Sequence, residues 1–262
     1  MFLATMQGAY VSAQSFNDKT YIDCMALADE KPSDGLNKAL IWMSGTKNIP
    51  ARHCEAIALM NLGEYGEAAI RLENMIEDMR VGIGMPRING VLQAADRVMI
   101  SKIIKQSADA WLLDNNTSRA FDVASQAFSL YKKDDERLYD FHILRAESMA
   151  VEQDFDFAIA EYTLALQLKE NGLNALLGVA KSNRILGNFT LARHQIDSAL
   201  QFHPDNPSLM LESGTLAYFE GDEALARRLW LWVATHAENT SLAKAAQKNL
   251  EQLELKSNDA AP

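Results

Sequence analysis

The sequence predicts an all-α solenoid of about six helical hairpins closed by a C-terminal capping helix. Three observations predict it. Ala158, Ala192 and Ala226 stand at a constant interval of 34 residues. Each sits in a repeating block: a turn, the alanine, a large residue four later (Tyr162, Ile196, Trp230) and a small or β-branched residue three beyond (Ala165, Ala199, Val233). A period of this length marks stacked helical hairpins rather than one closed core. Finally, Ser241 to Leu255 turns Ala243, Ala246 and Leu250 to one side and Lys244, Lys248, Glu251 and Glu254 to the other. That polar outer face is what a terminal cap needs.

The elements follow in order. Tyr21 to Ala28 reads as a short helix ended by Lys31-Pro32, with Ser33-Asp34-Gly35 as the turn and Leu36 to Met43 returning. Pro50 suits the start of the next helix, Ala51 to Asn61, and Glu67 to Met79 returns after Gly63-Glu64-Tyr65. Gly82, Gly84, Pro86 and Gly90 make a helix unlikely from Val81 to Asn89, which reads as a loop inserted before a long helix from about Val91 to Leu113. Asp114-Asn115-Asn116 is a turn, with Thr117 or Ser118 as N-cap and a helix on to Lys132. Hairpin four pairs Arg137–Val151 with Phe155–Leu168, hairpin five Leu173–Ile185 with Thr190–Phe202, and hairpin six Ser208–Phe219 with Glu223–His236. His203-Pro204-Asp205-Asn206-Pro207 is a stop-and-restart signal between the last two. The chain thus divides into an N-terminal stretch (1–18), N-terminal hairpins (19–80), an insert (81–97), an array (98–238), a capping helix (239–255) and a disordered tail (256–262).

Close crossing within a hairpin needs small residues, which Ala146, Ala158, Ala180, Ala192, Gly214 and Ala226 supply. Leu144, Tyr162, Leu176, Ile196, Met210 and Trp230 fill the space between hairpins. The 262 residues include 48% hydrophobic and 23% charged residues, enough for one continuous solenoid or two domains. Twenty-five basic against 35 acidic residues give a net charge of −10, which disfavours nucleic acid and anionic lipid and leaves cationic peptides or proteins open as partners. No apolar run reaches the roughly 20 residues of a membrane span.

The blocks GEYGEAA, QDFDFAIAEYTLAL, GNFTLARHQIDSALQFHPDNP and GDEALARRLW resemble tetratricopeptide repeats, closely over 139–236, more loosely over 51–79 and 104–133, and only weakly over 19–44. The overall plan also looks like that of exported bacterial repeat proteins with paired cysteines in the N-terminal hairpins. The first resemblance implies a right-handed superhelix whose concave face, lined by the first helix of each hairpin, binds peptides or protein segments. On that plan the face would include Lys102, Lys105, Asp109, Glu147, Lys181, Arg184, Thr215 and Tyr218, with Lys181 and Arg184 either pairing with Glu147 across the groove or standing with it as a solvated mixed-charge face. The set that some family members use to grip a C-terminal carboxylate is missing. Ile143 and Leu177 stand where cations are expected, and Gly178 replaces an asparagine.

Cys24 and Cys54, the only cysteines, occupy equivalent places, ten residues before Asp34 and Glu64. They read as a disulfide or as two buried thiols. The disulfide requires both side chains to point into one seam, because helix axes about 8–10 Å apart must bring α-carbons within about 7 Å. His53 beside Cys54 points about 100° away from it on a helix and reads as a partly exposed histidine. His142, His194, His203 and His236 are scattered. No metal-ligand pair, P-loop, nucleophile elbow or dinucleotide motif occurs, so neither cofactor nor metal is expected and the chain does not read as an enzyme. Val11-Ser12-Ala13 after an apolar start resembles an export cleavage site, but the first lysine is Lys19, so the basic n-region is missing. The expected function is a scaffold that binds a protein or peptide, periplasmic or exported in a bacterial envelope. The alternative is a cytoplasmic accessory subunit that docks to an enzyme through residues 81–89.

Overall fold

Short polar residues start most of the helices. Asp18, Asn48, Asp96, Asn116, Asp154, Asn206 and Asp222 each accept a hydrogen bond from a backbone N–H of the first turn that follows, satisfying a donor that the helix itself leaves unpaired. The structure, a computed structural model, describes residues 18–45, 48–85, 87–88 and 90–259. The Val11-Ser12-Ala13 signal lies outside them.

The helices are α1 (Lys19–Glu30), α2 (Pro32–Gly45), α3 (Ile49–Asn61), α4 (Tyr65–Val81), α5 (Arg97–Leu113), α6 (Thr117–Ser125), α7 (Tyr139–Val151), α8 (Phe155–Leu168), α9 (Leu173–Ile185), α10 (Phe189–Phe202), α11 (Pro207–Phe219), α12 (Glu223–His236) and α13 (Ser241–Asp259). Consecutive helices pack as six hairpins, and α13 packs on α12 and α11. The fold is the predicted all-α hairpin solenoid with a terminal helix. The described chain divides into two compact units between Lys133 and Asp134. This break falls inside the stretch read as one array, so hairpin three belongs to the first unit. Lys132, Lys133, Asp134 and Glu136 are all exposed there, and a charged run of this kind offers little apolar surface for packing.

Several elements differ from expectation. Helix α2 starts directly at Pro32, so Ser33-Asp34-Gly35 is its first turn rather than a loop. A Cβ on Gly35 would lie 2.5 Å from the backbone of Ala28, so glycine is what lets α1 and α2 close on each other. Residues 81–97 are not a plain loop. Strands β1 (Arg87–Ile88) and β2 (Val91–Leu92) pair antiparallel, with Arg87 opposite Leu92 and Ile88 opposite Val91. The returning chain passes so close to Gly82 that a Cβ there would meet the Gln93 carbonyl at 2.7 Å, and Ala95 N–H donates to the Met79 carbonyl at 2.9 Å. The following helix therefore begins at Arg97, capped by Asp96, and not at Val91. Asn116, not Thr117 or Ser118, caps α6, and that helix tightens into a 3-10 turn over Gln126–Ser129 instead of running to Lys132. A 3-10 turn, Glu136–Leu138, likewise precedes α7. Helix α13 continues to Asp259, into the stretch expected to be a disordered tail.

In the second unit the 34-residue pattern is the core. Ala158, Ala165, Tyr162, Ala192, Ile196, Ala199, Ala226, Trp230 and Val233 are all buried. Two glycines seat the large rings: a Cβ on Gly178 would lie 2.4 Å from the Tyr162 ring, and one on Gly214 would lie 2.8 Å from the Trp230 ring. In the first unit Cys24, Ala28, Ala39, Cys54 and Ala58 form one buried cluster. The cysteine sulfurs are 2.00 Å apart, a covalent distance, and the α-carbons 6.1 Å apart.

Candidate protein-binding face

In the first unit the expected face residues lie on α5. Lys102 is exposed, while Lys105 and Asp109 form an ion pair at 2.9 Å one turn apart. Beside them, half-buried Gln106 belongs to a polar chain centred on a buried histidine. His53, only 7% exposed, accepts at Nδ1 from the Tyr21 hydroxyl at 2.7 Å, and its Nε2–H donates to Gln106 Oε1 at 2.8 Å. An amide oxygen only accepts, which places the imidazole proton on Nε2. The expectation of a partly exposed His53 is thus corrected: the ring is interior and joins α1, α3 and α5. Burial holds its pKa below the ordinary 6.5, and burial raises Tyr21 to about 12.

In the second unit Glu147, Lys181 and Thr215 occupy one position on α7, α9 and α11, the successive first helices. Lys181 is exposed and the other two are half-buried. Burial, and secondarily the charge of Glu147, raises the pKa of Tyr162. The Thr215 hydroxyl donates to the Leu211 carbonyl at 2.9 Å. Arg184 does not reach across to Glu147. It pairs with Glu212 of α11, Nε to Oε1 at 2.5 Å, with both side chains largely buried at 16% and 6% exposure. Its guanidinium also lies 5.5 Å from the centre of the Phe219 ring. Arg184 is therefore a brace between neighbouring first helices. Tyr218 packs on Trp230 with ring centres 5.9 Å apart. Tyr218, Thr215, Phe219 and Trp230 line a cleft of about 140 Å³ with Asn249 and Gln252 of α13. Trp232 is half-buried and stacks on His236 at 4.4 Å.

A second buried cluster sits on α7 and α8. Glu161 accepts from His142 Nδ1 at 2.7 Å and Arg145 Nη2 at 2.8 Å. Sequence reasoning passed over it because Glu161 is 19 residues from His142 and fits no ligand spacing. Among the described residues no group of three His, Cys, Asp or Glu is placed to hold a metal ion. Nor is any helix there long and apolar enough to cross a membrane.

The same helices also carry an apolar feature at their ends. Val151, Ile185 and Phe219, one residue beyond Ala150, Arg184 and Tyr218, are 57%, 52% and 53% exposed. Their 34-residue spacing was the available signal.

No protein-family model matches the chain, and comparison with curated proteins gives no match. Solved structures do match. A tetratricopeptide repeat protein from Parabacteroides merdae ATCC 43184 has a TM-score of 0.62 at 14% identity, over 90% of this chain and 87% of that one. PilW, a widely conserved type IV pilus biogenesis factor, has a TM-score of 0.61 at 12% identity, over 88% of this chain and 99% of that one. The APC/C hetero-tetramer Cut9–Hcn1 gives 0.59 at 17% identity over 95% of this chain, which spans only 45% of the matched chain's length. The chain has the fold of tetratricopeptide repeat proteins.

Proposed function

We propose that this chain is a non-catalytic scaffold that binds a segment of another protein on the first helices of its hairpins. The observation that carries this is the equivalent placement of Glu147, Lys181 and Thr215 on α7, α9 and α11, where a ligand crossing successive hairpins meets a different side chain at each step. A shared fold with a protein solved in the Cut9–Hcn1 hetero-tetramer supports the reading. The ionisable groups buried beneath this face, His142 with Glu161 and Arg184 with Glu212, are engaged with each other.

The same proposal places the protein in a bacterial envelope compartment. The support is the paired Cys24 and Cys54, since a disulfide persists in oxidising compartments, together with the apolar start and Val11-Ser12-Ala13. A cytoplasmic accessory subunit is the second reading. Its docking part is favoured by the apolar exposure of Val81, Ile83, Val91 and Leu92 around the β1–β2 ribbon, at 60%, 49%, 61% and 40%.

The test is cross-linked recovery of partners from fractionated cells with the wild-type chain and Lys181→Glu. Lys181 is the right probe because it is exposed, whereas changing Arg184 disturbs a buried pair. A partner recovered from the envelope fraction and lost with Lys181→Glu supports the first reading. A cytoplasmic partner that is lost only when Val91 and Leu92 are made polar supports the second.

A further inference from the structure

Val151 closes α7, Ile185 closes α9 and Phe219 closes α11. Each stands two residues before a turn residue of positive φ, namely Gln153, Gly187 and Gly221. A single exposed apolar side chain needs no explanation. Three at one equivalent position on contacting first helices, with axes about 8–10 Å apart, form a row. Phe219 is held in place, stacked on Phe189 at 6.0 Å and beneath the Arg184 guanidinium. It is also a wall of the aromatic cleft between α11 and α13, so the row ends in a recess of about 140 Å³.

The surroundings are acidic. The turns and helix starts that follow Val151 and Phe219 expose Glu152, Asp154, Asp156, Asp222 and Glu223. Two nearby arginines are already neutralised, Arg184 by Glu212 and Arg193 by Glu220. Residues 134–262 hold 20 acidic and 11 basic side chains, so nearly all of the net charge of −10 lies in this half of the sequence.

Resting on the protein-binding reading, we propose that the Val151–Ile185–Phe219 row docks a basic amphipathic segment of a partner protein. Its apolar side chains lie along the row, its terminal one enters the Tyr218–Phe219–Trp230 cleft, and its lysines or arginines face the acidic turns. A helix fits the spacing, because apolar residues seven apart rise about 10.5 Å, close to one step of the row.

The probe is a random fifteen-residue peptide library displayed on phage and selected on the full chain. A synthetic peptide of the recovered sequence is then titrated by fluorescence anisotropy. The expected peptides carry net positive charge and regularly spaced apolar residues. Their affinity falls at least tenfold in Ile185→Asp and in Phe219→Asp, and falls further as salt rises. Ile185→Ser, a milder change, with thermal melts of all variants, separates lost docking from lost folding. Acidic or unpatterned peptides, or affinities unmoved by these variants, overturn the row. Binding that depends on Lys181 but not on Ile185 also overturns it while leaving the scaffold reading standing. No enrichment at all removes both. Self-association in sedimentation that Ile185→Asp abolishes makes a second copy the occupant and overturns the partner segment.

Discussion

The Tyr21 hydroxyl donates a 2.7 Å hydrogen bond to Nδ1 of His53, across 32 residues of sequence and from one hairpin to the next. With Gln106 on the far side of the ring, both ring nitrogens are engaged, and burial favours the uncharged imidazole. Protonating Nδ1 would require the Tyr21 hydroxyl to rotate from donor to acceptor and would place a charge where burial penalises it.

Stability of the first unit should therefore depend on pH below neutrality. His53 has a folded pKa below the 6.5 of the unfolded chain. Its contribution is complete above about pH 6.5 and is lost as pH falls toward the folded value, because the unfolded chain takes up a proton that the folded one resists. Urea melts between pH 7.5 and 5 should show a steeper loss for the wild type than for His53→Gln. Parallel pH slopes for the two would contradict the assignment.

Joining Cys24 to Cys54 closes a 30-residue separation between α1 and α3. In the chain-entropy account this contributes roughly 3–4 kcal/mol. Thiol titration of protein made under oxidising conditions should find no free thiol before reduction and two after it, and the reduced form should melt earlier. Two reactive thiols in unreduced, denatured protein would end the idea.

Arg184 and Glu212 should behave as a buried structural pair. Arg184→Ala strands a carboxylate that is 6% exposed and should cost about 3–5 kcal/mol. Lys181→Ala, at an exposed site on the same helix, should change stability by less than about 0.5 kcal/mol. Equal urea midpoints for the two variants would refute the brace.

Gln153 holds φ at 65° at the turn position where the next two hairpins have Gly187 and Gly221. A side chain in left-handed backbone costs about 1–2 kcal/mol, part of which glycine's added unfolded-state freedom offsets. Gln153→Gly should raise stability by up to about 1 kcal/mol, and Glu152→Gly, at a helix C-cap whose φ of −73° any residue adopts, should lower it. A reduced melting temperature for Gln153→Gly would show that its side chain contributes more than its backbone costs.

The core of the second unit was legible because Ala158, Ala192 and Ala226 repeat, and a repeated small residue has one structural meaning in a hairpin stack. His53 was not, because Tyr21 and Gln106 lie 32 and 53 residues away in sequence. Burial of a polar ring depends on partners that no local pattern displays. Glu212 was hidden in the same way, 28 residues from Arg184 and out of step with the repeat. The β1–β2 ribbon is two residues per strand, too short for alternation to register against the glycines around it. The apolar row escaped for a different reason. Its periodicity was visible, but a valine, an isoleucine and a phenylalanine at helix ends read as packing until their exposure is known.

The link between Cys24 and Cys54 passes over α2 entirely, fastening α1 to α3. A pull on the chain ahead of Cys24 would then be transmitted straight into the second hairpin. The intervening segment, about 100 Å when extended, would contribute nothing to the length released. Stacked hairpins can unravel one at a time, and these two are clamped to each other. Under tension or proteolysis the α1–α2 and α3–α4 hairpins should yield together, as one mechanical unit.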